Sequence, residues 1–367
     1  MRILIDCYQL IKGKGKSIGI YNYSVNLLTE LIPLIVKENE VYIINNSINY
    51  NDFKFDKVKN VVINKIPEGI ITKIKWELLD TRKYIKRNKI DIYFSPRGFL
   101  PPKVMNCKMI TTVHDLIPLY YQRKYLKYIN VIENIYIVKR LKRTCKRADS
   151  IITVSKYSKK QIIDNVGISS EKIHVIYNGL NKNMEMVEPK NCNKSEKYIF
   201  AISSKLKHKN LVGLLNAYDR YVTLCKDPVK LKICGARNCE KYLDDLSLKA
   251  KKNIELLPYL TDNELNWYYY NANVFIFLSH IEGFGFPIIE ALKFSTPVIC
   301  SDIECFREIL KEINNVTFVN QNDSNEVAKA ILNNVGTPKC VFDCDYIFEK
   351  YDWKRNAEEV EKLFKNT

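Results

Sequence analysis

The sequence is poor in the residue patterns that hold metal ions or disulfide frameworks. It has only four histidines, which lie far apart along the chain, and none of its 11 cysteines has the C-x-x-C spacing of zinc sites. No apolar run reaches the ~20 residues that a helix needs to span a bilayer. The first residues read as a strand rather than as a signal peptide. We therefore expect a cytoplasmic protein without a structural metal site.

Acidic residues are scarce in the first half of the chain. Residues 1–190 hold 34 Lys and Arg against 17 Asp and Glu, whereas residues 191–367 hold 24 of each kind. The excess is densest from Arg123 to Arg147, where nine residues are basic and Glu133 alone is acidic. This stretch is either a solvated face or a surface for anionic lipid headgroups or phosphates, where each basic residue contributes about 1 kcal/mol.

Short apolar runs alternate with amphipathic stretches along the chain, which predicts parallel sheets with helices on both faces. The length of 367 residues suits two domains. A polar segment at 181–197 separates two strand–helix series, so we predict domains at 1–185 and 195–349, with a terminal helix at 350–367 joining the first. The predicted strands cover residues 2–7, 41–46, 61–66, 91–95, 108–113, 150–154, 173–177, 198–203, 230–234, 253–257, 274–279, 297–300 and 316–319.

Helical periodicity is clear over residues 20–36 and 210–225. Capping-box spacing, in which a hydroxyl and a carboxylate satisfy free amides at a helix start, occurs at Thr261–Glu264 and at Ser301–Glu304. Both are predicted helix starts.

The segment from Glu282 to Glu290 carries the most specific chemistry. It follows an apolar strand, contains two glycines in a tight turn, and continues through Pro287, a residue favoured in the first helical turn. Gly283 and Gly285 let the backbone approach a ligand without interference from Cβ. Free amides at such a helix start attract anions and hydroxyl oxygens. The two carboxylates can face one pocket at different depths.

The complete string resembles the E-x7-E signature of the retaining glycosyltransferases called family four. The resemblance implies the α/β GT-B fold, in which two doubly wound, Rossmann-like domains face a central cleft and a C-terminal helix crosses back to the first domain. It implies that Glu290 binds the ribose of a nucleotide-sugar donor and that Glu282 lies near the sugar hydroxyls as a catalytic residue. Backbone contacts to the donor are implied for Gly283, Phe284, Gly285 and Phe286.

Other segments resemble the same family. Ser17 to Tyr21 looks like its glycine loop, which implies donor contact by Gly19 and an acceptor-side position for Tyr21. Thr112 to Pro118 looks like its histidine motif; it implies that His114 contacts the donor sugar or the transition state and that Asp115 orients the loop or touches the acceptor. Matches to the later parts of the first domain and to the start of the terminal helix cover residues 148–155, 175–180 and 351–353.

Lys207 to Asn210 resembles the Lys-Asn pair that opens the second domain's first helix. Lys209 suits a catalytic role because departure of a nucleoside diphosphate develops negative charge, which a fixed cation stabilises. Where relatives often carry an Arg five residues earlier, this chain has Ser204 followed by Lys205. Either Lys205 takes over the donor diphosphate, or Lys209 and the helix N-terminus bind it alone.

Together these resemblances predict a retaining hexosyltransferase, similar to the mannosyl- and rhamnosyltransferases of bacterial polysaccharide assembly. The donor would be GDP-mannose or another NDP-hexose, and the acceptor a saccharide or lipid-linked saccharide of the cell surface. The chain has no Asp-x-Asp motif in a suitable loop, so no metal cofactor is expected. Residues 123–147 would hold the enzyme at the inner face of the membrane.

Two other interpretations of the sequence remain open. Nucleotide-sugar 2-epimerases share the two-domain architecture and would release a free UDP-sugar isomer without an acceptor. A basic protein without enzymatic activity would bind nucleic acid or a membrane through its excess charge, although the chain has no recognisable nucleic-acid motif.

Overall fold

The computed structural model describes residues 1–11, 18–64, 67, 70–190, 196–336 and 345–367. These residues form two compact units. Unit 1 comprises Met1–Asn181 and Tyr351–Thr367, and unit 2 comprises Lys182–Lys350. The division therefore falls at the start of the polar segment 181–197, and the part of this segment at 191–195 lies outside the described residues, as does Ser17.

Each unit contains one parallel sheet. The strands of unit 1 are β1 (Arg2–Asp6), β2 (Glu40–Asn46), β3 (Val58–Ile63), β4 (Ile92–Ser95), β5 (Lys108–Thr112), β6 (Ser150–Thr153) and β7 (Ile173–Val175). Those of unit 2 are β8 (Tyr198–Ile202), β9 (Lys230–Cys234), β10 (Ile254–Leu256), β11 (Val274–Phe277), β12 (Val298–Ser301) and β13 (Val316–Val319). Every predicted strand is confirmed in position, within a few residues.

The strand order is β3-β2-β1-β4-β5-β6-β7 in unit 1 and β10-β9-β8-β11-β12-β13 in unit 2. In each sheet the order reverses direction once, between β1 and β4 and between β8 and β11. Open α/β sheets bind ligands beyond the carboxyl ends of the strands at such a switch point. The fold is thus doubly wound in both units, as predicted.

The α-helices are α1 (Ile18–Ile35), α2 (Ile70–Lys75), α3 (Thr81–Arg87), α4 (Ile117–Lys124), α5 (Val131–Arg147), α6 (Lys156–Val166), α7 (Leu211–Leu224), α8 (Leu248–Lys252), α9 (Asp262–Asn271), α10 (Phe286–Leu292), α11 (Glu304–Ile309), α12 (Ser324–Val335), α13 (Asp345–Lys350) and α14 (Trp353–Asn366). A π-helical turn, Trp76–Asp80, joins α2 to α3. The helices predicted at 20–36 and 210–225 are confirmed as α1 and α7.

One strand and one helix start differ from the sequence prediction. β3 begins and ends three residues before the predicted 61–66, because its register with β2 runs from Val58 to Ile63. The capping box at Thr261 is confirmed, but the one at Ser301 is wrong. Ser301 is the last residue of β12 and pairs with Val319 of β13, so the sheet takes it before the helix begins. Helix α11 starts at Glu304 instead.

The terminal helix α14 belongs to unit 1. The Asp352 side chain caps it by accepting a hydrogen bond from the Arg355 amide. The indole of Trp353 lies against Gly179, where a Cβ atom would come within 2.3 Å of the ring. Only glycine allows this close approach. The contact fixes the start of α14 against residues 179–181, the last residues of the first part of unit 1.

Candidate active site

The loops at the switch point of unit 2 bring most of the predicted donor residues together. Ser203 to Lys205 follow β8, and Leu278 to Glu282 follow β11. The two loops are joined directly, because the backbone amide of His280 donates to the carbonyl of His208 at 2.7 Å. The sequence predicted both loops, and the sheet order places them side by side.

The backbone around Lys209 is fixed from three directions. The Ser203 hydroxyl donates to the Lys209 carbonyl at 2.9 Å. Asn210 has φ of +51°, a left-handed conformation that asparagine tolerates better than most residues. Its side-chain amide donates to the Gln321 carbonyl at 2.9 Å. A Cβ at position 213 would lie 2.4 Å from the Asn210 side chain, which explains Gly213. These contacts fix the backbone of Lys209 and Asn210, and with it the position of the Lys209 Cα atom.

The Lys209 ammonium forms a short ion pair with Glu282, with 2.6 Å between Nζ and Oε1. Their side chains are 24% and 12% exposed, so the pair is partly screened from water but still accessible. The ammonium also lies 5.0 Å from the centre of the Phe277 ring. Since an ammonium has three donors, Glu282 orients Lys209 and leaves it able to bind an anion.

The glycine turn before α10 requires its glycine. Gly285 has φ of +111°, and a Cβ there would lie 2.8 Å from the Phe306 ring. Phe284 is buried, and its ring packs edge-on against Phe286 at 5.4 Å. Helix α10 begins at Phe286, one residue before Pro287. Gly283 is buried between Glu282 and this turn.

Glu290 lies one turn into α10, and a tyrosine fixes its carboxylate. The hydroxyl of Tyr269 on α9 donates to Glu290 Oε2 at 2.9 Å. Burial raises the pKa of Glu290, and the bond from Tyr269 opposes this effect. Among the described residues no hydrogen bond to Oε1 occurs, so this oxygen can accept one from a ligand hydroxyl.

Tyr269 is a site residue that the sequence did not reveal. It is fully buried, and its carbonyl accepts a hydrogen bond from Thr296 at 2.6 Å. It lies within the aromatic run 267–270, and nothing in that run indicates which hydroxyl contacts Glu290. Only its phenol oxygen distinguishes it, and the partner of that oxygen depends on how α9 packs against α10.

Ser204 and Lys205, the residues that replace the usual arginine, have different settings. The Ser204 hydroxyl accepts a weak hydrogen bond from the Leu206 amide at 3.4 Å, so it shapes its own loop. The Lys205 side chain is exposed. Compared with the exposed Lys205, Lys209 is therefore the better candidate to bind a diphosphate, because its ammonium is oriented by Glu282.

In unit 1, His114 lies two residues after the end of β5. Its Nε2 lies 2.9 Å from the Pro96 carbonyl oxygen. Because a carbonyl can only accept, Nε2 carries the proton. Burial lowers the pKa of His114 to about 4, against the opposing effect of the Pro96 bond. The ring is therefore neutral at physiological pH, and its bare Nδ1 is a hydrogen-bond acceptor.

Aromatic packing holds the His114 ring. The Tyr23 ring meets it edge-on at 4.5 Å between centroids, and the Tyr23 hydroxyl is 3.0 Å from Thr112 Oγ1. Trp353 of α14 also packs edge-on against Tyr23, at 5.7 Å between ring centroids. The terminal helix thus supports His114 through one intervening ring, which sequence reasoning missed.

Of the other predicted residues of unit 1, Asp115 and Tyr21 form hydrogen bonds within the unit, whereas Gly19 is exposed. Asp115 accepts a hydrogen bond from the Ile117 amide at 2.9 Å, which orients the start of α4. The Tyr21 hydroxyl donates to Asp52, and its ring is buried. Gly19 is exposed in the first turn of α1 rather than in a loop.

The basic stretch from Arg123 to Arg147 forms the end of α4, a short turn and α5. Arg140 points inward, where its guanidinium pairs with the buried Glu77. The turn between these helices and the first residues of α5 expose four large apolar side chains, with exposed fractions of 38% to 81%: Leu126, Tyr128, Val131 and Ile132.

Within the described ranges, no helix is long and apolar enough to cross a membrane. The same residues contain no cluster of three or more His, Cys, Asp or Glu side chains that could hold a metal ion.

Comparisons with known proteins identify the family of the chain. Residues 183–339 match the family model for glycosyl transferases group 1, and residues 25–183 match that for glycosyltransferase family 4. The chain is 30% identical to the O-antigen chain mannosyltransferase RfbU of Salmonella typhimurium strain LT2, over 94% of this chain and 96% of that protein. It is 26% identical to the O-antigen chain mannosyltransferase B of Escherichia coli, over 70% of this chain and 66% of that protein.

Among solved structures, the sucrose-phosphate synthase of Thermosynechococcus elongatus superposes with a TM-score of 0.71 at 16% identity, covering all of this chain and 98% of that one. This likeness shows the GT-B fold of two Rossmann-like units. The chain therefore belongs to the group 1, family 4 glycosyltransferases and is itself a glycosyltransferase.

Proposed function

We propose that the chain is a retaining, metal-independent hexosyltransferase that uses a nucleotide-sugar donor in cell-surface polysaccharide synthesis. The observation that supports this most strongly is the pairing of Lys209 with Glu282 at the switch point of unit 2. An oriented, partly desolvated ammonium in that position suits a departing diphosphate. The nearby carboxylate of Glu290, fixed by Tyr269, suits a ribose hydroxyl.

Each residue would have a separate role in the transfer. Lys209 would bind the β-phosphate, Glu290 the ribose, and Glu282 would hold Lys209 while contacting the sugar hydroxyls. His114 would accept a hydrogen bond from a sugar hydroxyl through Nδ1, since its neutral ring cannot act as an acid at physiological pH.

The proposed reaction proceeds on one face of the sugar. The bond between the anomeric carbon and the phosphate oxygen breaks as a bond to the acceptor oxygen forms, and the acceptor proton passes to the leaving phosphate. This route needs no enzyme nucleophile and keeps the anomeric configuration. The names of the two O-antigen relatives make mannose the first sugar to test.

A membrane-facing role for the α4–α5 region fits its surface. Ile132 is 81% exposed and Tyr128 62% exposed, while Arg123, Lys124 and Lys127 nearby are also exposed. Apolar side chains that enter the headgroup boundary beside basic residues bind anionic bilayers. Such a surface would bring the enzyme to a lipid-linked acceptor at the inner leaflet.

The donor assignment can be tested with a thermal-shift panel of GDP-, UDP-, dTDP- and ADP-sugars, followed by transfer assays on each hit with and without EDTA. We expect one donor to stabilise the protein and to transfer its hexose with retained configuration in the presence of EDTA. An isomerised free sugar nucleotide without acceptor, or no response to any donor, would contradict the proposal.

A further inference from the structure

Lys293 is a buried lysine that the reaction scheme above does not use. It follows the last residue of α10, three positions after Glu290, and only 4% of its surface is exposed. Lysine is almost never this buried unless its ammonium is paired or hydrogen-bonded. A role for this side chain must therefore be sought in the groups around it.

The Lys293 ammonium binds a segment far away in sequence. Its Nζ donates to the Asn183 carbonyl at 2.7 Å and lies 3.4 Å from the side-chain oxygen of Asn266 on α9. We call residues 182–187 the connecting segment, because they directly follow the last residue of the first part of unit 1. Lys293 thus joins the end of α10 to the first residues of unit 2.

The connecting segment has no helix or strand, yet its backbone is well bonded. The side-chain amide of Asn266 donates to the carbonyls of Asn183 at 3.3 Å and Glu185 at 2.9 Å. The amide of Val187 donates to the carbonyl of Asn263 at 3.1 Å. Because the segment lacks its own secondary structure, its order depends on these contacts with α9 and with Lys293.

The same ammonium acts on the donor-site carboxylate. Burial raises the pKa of Glu290, and the charge of Asp262 raises it further. The hydrogen bond from Tyr269 and the charge of Lys293 both lower this pKa. Burial lowers the pKa of Lys293, and Glu290 and Asp262 oppose this. Each charge therefore makes the other easier to keep in the interior.

We propose that Lys293 is a positioning residue for the donor nucleotide, which ties the turn of α10 that carries Glu290 to the connecting segment. This inference rests on the proposed role of Glu290 in binding ribose. A ribose hydroxyl donates its hydrogen bond best to a carboxylate rather than to a carboxylic acid. Nucleotide binding and the ordering of residues 182–187 are then coupled through the Lys293 ammonium.

The test compares the wild-type protein with Lys293→Met across a pH series. The probe is the nucleoside diphosphate of whichever donor stabilises the protein, and its Kd is measured by calorimetry. Without the nearby cation, Glu290 holds its proton to higher pH, so the variant should lose about tenfold in affinity on the acid side, as one pKa unit would give. The loss should shrink as the pH rises.

A second readout follows the connecting segment directly. In the wild-type protein, nucleotide binding should slow amide hydrogen exchange at residues 185–187, whereas in Lys293→Met this protection should be absent. Lys232→Met is the matched control, since Lys232 is equally buried in unit 2 but pairs with Glu196 and Glu255. It should leave both the pH profile and the protection unchanged.

The outcomes separate this inference from the proposed function. If Glu290→Gln loses the nucleotide while Lys293→Met keeps the wild-type pH profile, the role of Lys293 is wrong and the donor site stands. If both variants bind normally, the donor site is wrong as well. Should Lys293→Met not fold, Lys293→Gln replaces it, because its side-chain amide can donate a hydrogen bond in place of the ammonium but carries no charge. A wild-type pH profile in that variant would overturn the inference.

Discussion

The two units place candidate residues after parallel strands in the same way, but they stabilise those residues by different interactions. In unit 2, Lys209 and Glu282 form an ion pair at 2.6 Å, and Glu290 is a buried carboxylate bound by a phenol. In unit 1, His114 is a neutral ring between a carbonyl and Tyr23. The comparison teaches that unit 2 presents a paired cation and a buried carboxylate, whereas unit 1 offers a hydrogen-bond acceptor without charge.

The ion pair explains why the charge balance of the whole chain is a poor guide to the active site. The basic excess lies in residues 1–190, yet the cation best placed for a diphosphate is Lys209, in the half that is neutral overall. Several basic residues between Arg123 and Arg147 are exposed. Arg140 is an exception, because its guanidinium pairs with the buried Glu77. The basic excess of residues 1–190 therefore does not locate the candidate donor site.

The largest effect should come from removing the cation of unit 2. Lys209→Met should lower kcat by about 100-fold to 1000-fold, since a fixed charge at a departing oxyanion contributes on that scale. Steady-state kinetics with saturating donor measures this loss. Lys226→Met, which removes an exposed lysine from the loop after α7, should leave kcat unchanged. A comparable kcat for both variants would remove Lys209 from catalysis.

Glu290→Gln should weaken donor binding by about 30-fold, because a charged hydrogen bond of about 2 kcal/mol is lost. The same variant should be more stable than the wild type at neutral pH. The folded-state pKa of Glu290 is raised by burial, so its stabilising form is the protonated one and that stability is lost as the pH rises through this pKa. Thermal unfolding at acidic and neutral pH measures the difference, which should vanish in acid. If the variant were less stable than the wild type at neutral pH, burial of the ionised Glu290 carboxylate would not destabilise the folded protein.

The uncharged site of unit 1 makes a smaller and more specific prediction. Because the pKa of His114 is about 4, its titration should not contribute to the pH–rate profile near neutrality. His114→Asn keeps an acceptor near the position of Nδ1, whereas His114→Gln keeps only the group that reaches Pro96. We expect His114→Gln to lose about tenfold more activity than His114→Asn, as for one lost hydrogen bond. Equal losses would assign His114 to packing alone.

The smallest effect concerns the surface of unit 1. Ile132→Asp should reduce co-sedimentation with vesicles rich in phosphatidylserine by about fivefold, since burial of one aliphatic side chain is weakened and a negative charge is added. Leu248→Asp is the control, because Leu248 is similarly exposed, at 76%, in unit 2. Binding that is insensitive to Ile132→Asp and to anionic lipid content would contradict a membrane-facing role.

Much of this architecture follows from local sequence signals. Parallel strands buried on both faces are near-continuous apolar runs, so β8, β11 and β12 were predicted within a few residues. The glycine turn at Gly285 was also readable, since its φ of +111° needs glycine. The loops at the switch point followed from the alternation of strands and helices.

The remaining features depend on tertiary packing. Ser301 has the spacing of a capping residue, but its pairing with Val319 in the sheet overrides that local signal. Tyr269 and Lys293 reach Glu290 and the connecting segment only because α9 packs beside α10. Sequence periodicity indicates which face of a helix is buried, but it does not indicate which polar atoms form hydrogen bonds with each other.

The most direct test of the donor site compares nucleoside mono- and diphosphates in two variants by titration calorimetry. If Glu290 binds ribose and Lys209 binds the β-phosphate, Glu290→Gln should weaken both ligands equally. Lys209→Met should weaken the diphosphate and leave the monophosphate close to its wild-type Kd. Equal weakening of both ligands by Lys209→Met, or unchanged binding of both in Glu290→Gln, would contradict the assignment of these two residues to the two parts of the nucleotide.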